Sequence, residues 1–350
     1  MTVRSMHRRR TLLSATALAL AVVLPAARAQ QETNIKFQLD WRFEGPAALF
    51  VEPAAKGYFK AENLNVTIDA GNGSAGTISR VASGAYDMGF ADMAALMEFR
   101  ANNPAAPNKP VAVMMVYNNT PAAVIALRKS GIRTPRDLEG RRLGAPVFDA
   151  GRRAWPIFAK ANKIGEVTWT SMDPPLRETM LMRGDVDAVT GFSFTSLVNL
   201  EAHGLKPDEV VTLGYAQHGV KLYGNAVIAG EEFVKKNPEA VKAFLRAFSK
   251  GVHDVIADPK AAVATVKQRD GLVNEAVELR RLQLAIDQSI FTPDAKADGF
   301  GDVNGARLAL MASQVSDAFG TRERVNPAAV WNGSFLPTAA ERNIFAGAKR

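Results

Sequence analysis

The 350-residue sequence contains no cysteine and only four histidines. The absence of cysteine excludes disulfides, thiolate metal sites and cysteine nucleophiles. The three histidines beyond the N-terminal region are widely spaced and form no H-E-x-x-H zinc motif. The sequence also lacks a G-x-S-x-G nucleophile elbow and a G-x-x-x-x-G-K-[ST] phosphate loop. We therefore expect no metal, no cofactor and no catalytic residues.

Long hydrophobic runs are missing too. The most apolar stretch, Leu12–Leu24, is shorter than the roughly 20 apolar residues that a bilayer span needs, so we expect no membrane-spanning segment. Four arginines between positions 4 and 10 precede it, and Ala27-Arg28-Ala29 follows it. That order is typical of a secretory signal peptide cleaved after Ala29, which predicts a periplasmic mature chain. The pair Arg9-Arg10 is also typical of twin-arginine signals, so the choice between the Sec and Tat routes stays open.

The excess of positive over negative charge is small once the signal peptide is set aside. The formal charge of the chain is +8, and the signal holds five arginines and no acid, which leaves +3 on the mature chain. No run of five like charges follows the signal, so we expect no nucleic-acid partner. Because no cysteine is present to carry a lipid anchor, we expect the mature chain to diffuse freely as a monomer.

Short apolar runs alternate with helical patterns along the 321 mature residues, a length that suits about two domains. This alternation predicts parallel βαβ units and therefore the α/β fold class. A helix, a glycine and a buried strand follow one another at residues 83–90 and again at 183–192, which predicts similar units in both halves. The predicted strands are 34–39, 65–69, 87–90 and 142–147, and the predicted helices are 47–58, 76–83, 134–140, 237–258, 275–290 and 306–319.

The segment Gly71–Gly76 matches the pattern G-x-G-x-x-G between a predicted strand and a predicted helix, with Asp92 further on. One interpretation is the dinucleotide fingerprint of an exported NAD(P)-dependent oxidoreductase. The helix after Gly76 is short, and the loop follows the second strand of the chain instead of the first, which disfavours that interpretation. The alternative is a helix N-terminus whose backbone N–H groups approach an anionic or polar ligand.

Candidate ligand-binding residues follow two predicted strands. Asp40-Trp41 ends the first strand, where an α/β sheet faces its ligand crevice and an indole offers a stacking surface. Gly151-Arg152-Arg153 follows the strand 142–147, and an arginine there could hold a carboxylate, sulfonate or phosphate by paired hydrogen bonds. Both arginines could equally lie on a solvated helix face, so the sequence leaves open which of Arg152 and Arg153 faces the crevice.

A series of motifs, in order along the chain, resembles the periplasmic substrate-binding proteins of ABC importers that take sulfonates, nitrate and thiamine-pyrimidine precursors. The resemblance covers nearly all of the mature chain. It rests on Leu39-Asp40-Trp41, Lys56-Gly57-Tyr58-Phe59, Leu64-Asn65-Val66, the Gly71–Gly76 loop, Gly84-x-x-Asp87, Asp137-Leu138-x-Gly140 with Leu143-Gly144, and Tyr223-Gly224-Asn225.

The resemblance implies a type II Venus-flytrap fold, in which each of two lobes is a mostly parallel sheet flanked by helices. Residues 30–118 with 224–350 would form lobe one and residues 119–223 lobe two, joined by crossings near 117–121 and 219–225. The lobes would close around a ligand and deliver it to a membrane permease and its ATPase subunits. The ligand-binding residues that the resemblance implies are Asp40, Trp41, Asn72, Gly73, Ser74, Asp92, Tyr117, Asn118, Gly151, Arg152, Phe192 and Tyr223.

The ligand itself stays open at this stage. Trp41 and Phe192 indicate a flat or aromatic face, whereas Arg152 and the helix start at Asn72 indicate an anionic group. A sulfonate, an aromatic carboxylate or a heterocyclic vitamin precursor would fit. Binding proteins for pyrimidine precursors tend to continue with small polar residues where this chain has residues 42–46, R-F-E-G-P.

A related fungal enzyme uses a cysteine-rich iron motif that this chain lacks, so the resemblance implies that the chain is not an enzyme. Whether capture feeds import or a membrane sensor is also open.

Overall fold

The structure, a computed structural model, describes residues 1–2 and 32–346. The predicted signal peptide lies outside the described residues, apart from its first two positions. Residues from Glu32 onward form one contact unit, and everything below concerns that unit. Within the described part of the chain, no helix combines the length and the apolar character that a bilayer crossing needs.

Ten strands in the described residues form two five-stranded sheets. Their order is β2-β1-β3-β10-β4 in the first sheet and β7-β6-β8-β5-β9 in the second, with the bounds given next. The strands are β1 (Thr33–Gln38), β2 (Leu64–Asp69), β3 (Met88–Asp92), β4 (Val111–Met115), β5 (Ala122–Leu127), β6 (Arg142–Ala145), β7 (Thr168–Ser171), β8 (Ala188–Phe192), β9 (Val210–Gly214) and β10 (Asn225–Ala229).

Four of the five strands in each sheet run in the same direction. In the first sheet β1 pairs in parallel with β2 and β3, and β10 runs antiparallel to β3 and β4. In the second sheet β6 pairs in parallel with β7 and β8, and β5 runs antiparallel to β8 and β9. The reversed strand in each sheet is the one that the chain enters directly after crossing from the other sheet. The predicted fold class, two mostly parallel sheets flanked by helices, is confirmed.

Fourteen helices lie around the sheets within the described residues. They are α1 (Ala48–Ala55), α2 (Tyr58–Ala61), α3 (Ser74–Ala82), α4 (Met93–Asn102), α5 (Ala150–Asn162), α6 (Arg177–Arg183), α7 (Ser193–Ala202), α8 (Glu231–Lys236), α9 (Pro238–Ala257), α10 (Pro259–Arg269), α11 (Glu275–Ala285), α12 (Pro293–Asp298), α13 (Gly305–Phe319) and α14 (Pro327–Val330).

Two predicted helices differ from the observed ones. Residues 134–140 form only the 3-10 turn Pro135–Leu138, because Glu139, with a ψ of 131°, leaves the helical region before the predicted end at Gly140. The predicted helix 47–58 ends at Ala55, and Gly57, with a left-handed φ of 72°, separates α1 from α2. A third, 275–290, changes from α-helix to a single π-turn at Ile286–Ile290.

The core of the first sheet is largely aromatic. The ring of Phe244 on α9 stacks on Phe37 at 5.2 Å and on Phe59 at 4.8 Å between centroids, and Phe50 lies 4.8 Å from Phe248. All five rings are at most 2% exposed. The apolar stripe of α9 is therefore core, as its helical spacing predicts.

Two crossing segments connect the sheets, residues 116–121 between β4 and β5 and residues 215–224 between β9 and β10. Their backbones pair with one another: Gly224 N donates to Tyr117 O at 2.8 Å and Thr120 N donates to Leu222 O at 3.0 Å. We use "first lobe" for the first sheet with its helices and "second lobe" for residues 122–214. The finer lobe boundaries predicted from the sequence stay a prediction.

Candidate ligand-binding site

A cavity lies where the two sheets face each other. The space between protein atoms there is about 560 Å³ when the part that is open to solvent is included. Its lining includes six aromatic and seven polar side chains. The aromatic members are Trp41, Phe50, Phe90, Tyr117, Phe192 and Phe194, and the polar members are Asp40, Arg42, Glu44, Ser74, Asp149, Arg177 and Thr195.

Tyr117, on the first crossing segment, is the centre of the aromatic wall. Its ring meets Phe90 of the first lobe edge-on at 5.2 Å, and Phe192 and Phe194 of the second lobe at 6.3 and 6.0 Å. These edge-to-face contacts join rings from both lobes into one surface. A flat, apolar ring placed in the cavity would contact both lobes at once.

The most deeply buried charged side chain in the cavity lining is that of Arg177, the first residue of α6, which is 1% exposed. Its Nε donates to Glu178 at 2.9 Å, and its Nη1 lies 3.4 Å from Asp149. Burial opposes ionisation, but the nearby charges of Glu178 and Asp149 outweigh it and raise the pKa of Arg177. The guanidinium lies 5.2 Å from the centroid of the Trp41 ring, within cation–π range. Its Nη2 is buried without a hydrogen-bond partner among the described residues.

Asp149 is held at the N-terminus of α5. Its Oδ1 accepts from Arg152 N at 2.9 Å, the usual N-cap contact. Burial raises the pKa of Asp149, and the positive charge of Arg177 limits that rise. Asp149 therefore brings a buried carboxyl from the second lobe to the cavity, opposite Asp40 of the first.

Asp40 and Asp92 are buried carboxyls at the carboxyl ends of neighbouring strands, β1 and β3. Burial raises the pKa of each from 3.8 to about 7. Asn225 Nδ2 donates to Asp40 Oδ2 at 2.8 Å, and Asp92 caps α4 by accepting from Ala95 N at 3.0 Å. Asp40 lines the cavity and Asp92 does not. Because this pKa is close to neutral pH, a ligand that binds next to Asp40 can add or remove the proton of this carboxyl at little cost in free energy.

The glycines of the Gly71–Gly76 loop are explained by contacts within the protein. Gly73 N donates to Asp40 O at 2.7 Å, and a Cβ on Gly73 would overlap the carbonyl oxygen of Phe148 from the second lobe. A Cβ on Gly71 would overlap Leu39 O in the same way. Protein backbone fills the space that a pyrophosphate would need, so the dinucleotide interpretation of this loop does not fit the structure. Ser74, the first residue of α3, lines the cavity, and its buried hydroxyl has no partner among the described residues.

Polar contacts also join the lobes outside the cavity lining. Arg280 of α11 pairs with Glu201 of α7 through two contacts of 2.5 and 2.8 Å. Arg153 of α5 donates through Nε to Glu98 of α4 at 3.1 Å. In the described arrangement the two lobes are therefore in direct contact through these two ion pairs.

The structure places the twelve predicted ligand-binding residues in three groups. Six of them line the cavity, namely Asp40, Trp41, Gly73, Ser74, Tyr117 and Phe192. Two lie on the crossing segments, Asn118 and Tyr223. The other four, Asn72, Asp92, Gly151 and Arg152, lie outside the lining.

Arg152 requires a correction. Its Nη1 donates to Ala145 O at 3.0 Å and to Ser171 Oγ at 2.9 Å, and its guanidinium lies 4.8 Å from the Trp169 ring, away from the cavity. The Asp149 cap directs the next residues of α5: Gly151 packs against the backbone of Gly191 on β8, and Arg152 points outward.

Arg177 takes the place in the cavity that was predicted for Arg152. No motif in the sequence marks it, because Pro174-Pro175 predicts only a helix start. Glu44, Asp149 and Thr195 were missed as well. Of these, only Asp149 has a sequence signal, an acid two residues after the predicted strand 142–147.

Comparison with known proteins agrees with this geometry. Residues 47–262, more than half of the chain, match the family model described as NMT1/THI5 like. The alkanesulfonate-binding protein SsuA from Xanthomonas axonopodis pv. citri, bound to MOPS, superposes with a TM-score of 0.64 at 15% identity, covering 86% of this chain and 99% of that one. The aliphatic sulphonate binding protein SsuA from Escherichia coli gives 0.66 at 13% identity, with 87% and 94% covered. The resemblance to periplasmic binding proteins is confirmed, and fold and family together support a solute-binding role.

Curated relatives correct one expectation. A 4-amino-5-hydroxymethyl-2-methylpyrimidine phosphate synthase from Aspergillus parasiticus is 28% identical over 244 residues, covering 65% of this chain and 68% of that protein. The riboflavin-binding protein RibY from Chloroflexus aurantiacus is 27% identical over 212 residues, covering 60% and 58%. The expectation that the chain is not an enzyme was wrong, because several similar curated proteins are named as synthases.

Proposed function

This chain belongs to the NMT1/THI5-like family, and on that premise we propose that it captures a small, flat, polar molecule between its lobes and delivers it to a membrane ABC permease. Capture proceeds by closure of the two lobes around the ligand. Trp41, Tyr117 and Phe192 hold the flat face, and Arg177 receives an acceptor group. Of the twelve ligand-binding residues predicted from the sequence, the proposal keeps the six that line the cavity and adds Arg177 and Asp149.

The observation that carries the proposal is Arg177 beneath Trp41. A buried N–H without an acceptor costs on the order of 1–3 kcal/mol, so Nη2 is a position where a ligand oxygen or nitrogen gains a strong hydrogen bond. Ser74 Oγ offers a second unpartnered group from the opposite lobe. A ligand that reaches both joins the lobes, which is the condition for closure to depend on binding.

Among the expected ligand classes, a heterocycle is favoured over a simple sulfonate. Three carboxyls, Asp40, Glu44 and Asp149, line the cavity, and Arg177 is already neutralised by Glu178 and Asp149. Such a lining suits a ring that presents N–H donors to carboxyls and one acceptor to the guanidinium. The names of the curated relatives, a riboflavin-binding protein and pyrimidine phosphate synthases, both refer to heterocycles.

A thermal-shift screen of the mature chain tests the ligand class, because a ligand that binds the folded form raises its melting temperature. The panel contains alkanesulfonates, aromatic carboxylates and nitrogen heterocycles that include pyrimidines and flavins. Calorimetry on the best hit then compares Trp41→Ala with Trp169→Ala. Trp169 is the matched control, since it is also a partly buried indole stacked on an arginine, but it lies outside the cavity.

We expect Trp41→Ala to weaken binding about tenfold or more and Trp169→Ala to leave it unchanged. Arg177 is a poor first variant, because removing it leaves buried carboxylates unpaired at a cost of about 3–5 kcal/mol. Equal affinities for Trp41→Ala and the wild type would show that the ligand does not stack there. A panel without any thermal shift would remove the proposed ligand classes.

Export and delivery are further parts of the proposal. We propose that a signal peptide is removed after Ala29, that the mature chain is a periplasmic monomer, and that residues 30–118 with 224–350 and residues 119–223 are the two lobes. Mass spectrometry of the periplasmic fraction should find a chain that begins at Gln30. Deleting the gene should stop uptake of the radiolabelled ligand, and a variant without the signal should fail to restore it. Uptake that persists after deletion, with a lost transcriptional response to the ligand, would assign capture to a sensor.

A second candidate function is a chemical step on the bound heterocycle, as the names of the synthase relatives indicate. The structural support is Asp40, a carboxyl with a pKa of about 7 that lines the cavity. A group with such a pKa can exchange a proton at neutral pH. Incubation with the best ligand, followed by mass spectrometry, separates the two functions: capture returns the ligand intact, whereas a chemical step yields a product that Asp40→Asn abolishes.

A further inference from the structure

One arginine, Arg307 near the start of α13, contacts both crossing segments. On the first, its Nη2 lies 2.7 Å from Asn118 O and 3.0 Å from Asn119 Oδ1, and its Nη1 donates to Asn118 Oδ1 at 3.0 Å. On the second, Nη2 lies 3.2 Å from Leu222 O, and the guanidinium stacks on the Tyr223 ring at 4.0 Å. The side chain is 13% exposed, so little water competes for these contacts.

The neighbours of Arg307 hold the same segments to the first lobe. Tyr223 OH accepts from Asn304 N at 2.8 Å, and Thr292 Oγ1 donates to Asn118 Oδ1 at 2.9 Å. Asn118 and Tyr223, both predicted as ligand-binding residues, are therefore part of this cluster. Their polar groups face α13 and the residues around it.

We propose that Arg307 is a positioning residue that fixes the pivot of lobe closure. By binding residues 118–119 and 222–223 to α13, it makes those parts of both crossings move with the first lobe, which moves the proposed lobe boundaries from 118/119 and 223/224 to 119/120 and 221/222. Bending is then confined to the parts of the crossings nearer the second lobe, residues 120–121 and 219–221, where Gly219 adopts a φ of 84°. A single pivot leaves fewer orientations of the second lobe, so closure around a ligand freezes less motion.

This inference rests on the proposed capture by lobe closure, but its first test needs no ligand. Because the chain has no cysteine, spin labels can be attached at Lys60→Cys and Asp208→Cys, exposed positions on the first and second lobes. Pulsed electron paramagnetic resonance of the full mature chain then gives the distribution of distances between the lobes. Hydrogen exchange of residues 116–121 and 215–224 gives the mobility of the crossings.

The variants are Arg307→Ala and Arg307→Lys, with Arg342→Ala as the matched control. Arg342 is also a largely buried arginine of the first lobe, 12% exposed, and it donates to Phe300 O and pairs with Asp302 without contacting the crossings. We expect Arg307→Ala to broaden the distance distribution, to speed exchange in both crossings and to weaken binding of the best ligand about tenfold. Arg307→Lys keeps the positive charge but loses the planar guanidinium, so its effects should lie between those of the unmodified chain and of Arg307→Ala. Arg342→Ala should lower the melting temperature only.

An unchanged distance distribution in both Arg307 variants would overturn the inference, as would equal broadening by Arg342→Ala. If Arg307→Ala fails to fold, the lysine variant still decides the outcome. If no ligand is found at all, the proposed function fails, while the distance and exchange results still confirm or overturn the role of Arg307.

Discussion

Raising the pH from 5 to 8 should destabilise this protein, because Asp40 and Asp92 are buried carboxyls. Their folded pKa values, raised by burial to about 7, lie above the ordinary value of 3.8 that they regain on unfolding. Between these values the folded chain holds protons that the unfolded chain has released. By linkage, the stability is fully present below pH 3.8 and falls as the pH rises through 7.

The magnitude follows from the difference in pKa. At about 1.4 kcal/mol for each pKa unit, ionising either carboxyl in the folded state costs about 4 kcal/mol in all. The part that falls between pH 5 and pH 8 is about 2 to 3 kcal/mol for each carboxyl. Burial also raises the pKa of Asp149 and Glu278, so these groups act in the same direction.

Urea unfolding at a series of pH values measures the effect, with Asp40→Asn and Asp92→Asn as the variants. Asparagine keeps the shape and can still cap α4 at position 92. Asp258→Asn is the matched control, since Asp258 caps α10 by accepting from Ala261 N at 3.0 Å, as Asp92 accepts from Ala95 N, but is exposed. Each buried variant should remove part of the pH dependence, and the control should remove none.

The reasoning would be refuted by equal unfolding free energies at pH 5 and pH 8 in the unmodified chain. A pH dependence that survives in the double variant at full size would refute the assignment to Asp40 and Asp92 in particular. It would indicate that water or a local rearrangement solvates these carboxyls in the folded state.

Two further predictions concern closure. Gly73→Ala should weaken ligand binding strongly in calorimetry, because the added Cβ would overlap Phe148 O and the φ of residue 73 is 141°. The control is Gly84→Ala, at a position with a positive φ but open space around it. It should lower the stability by only about 1 kcal/mol and leave the affinity unchanged. Glu201→Gln breaks the exposed ion pair with Arg280, so it should weaken ligand binding by no more than about fivefold. It should also reduce the salt dependence of the affinity. A salt dependence equal to that of the unmodified chain would show that the pair does not stabilise closure.

Much of the fold was predictable because its signals are local. The alternation of apolar runs and helical patterns predicts the α/β class, and the strand ends place Asp40 and Trp41 at the cavity. Gly57, a single left-handed residue, divides the predicted helix 47–58, and the extended backbone of Glu139 limits residues 134–140 to a 3-10 turn. The motif order that resembles periplasmic binding proteins predicts two lobes, and the two sheets agree with it.

The tertiary structure alone decided which charged groups meet. The sequence singles out Arg152 and gives no signal for Arg177, but the cap at Asp149 turns Arg152 outward, and Arg177 enters the cavity where Gly191 leaves room for its guanidinium. Arg307 reaches residues that lie more than 180 positions earlier in the chain. Periodicity and caps depend on neighbours within a few residues, and they determine the elements. Burial and ion pairing depend on segments that meet only after folding, and they determine the site.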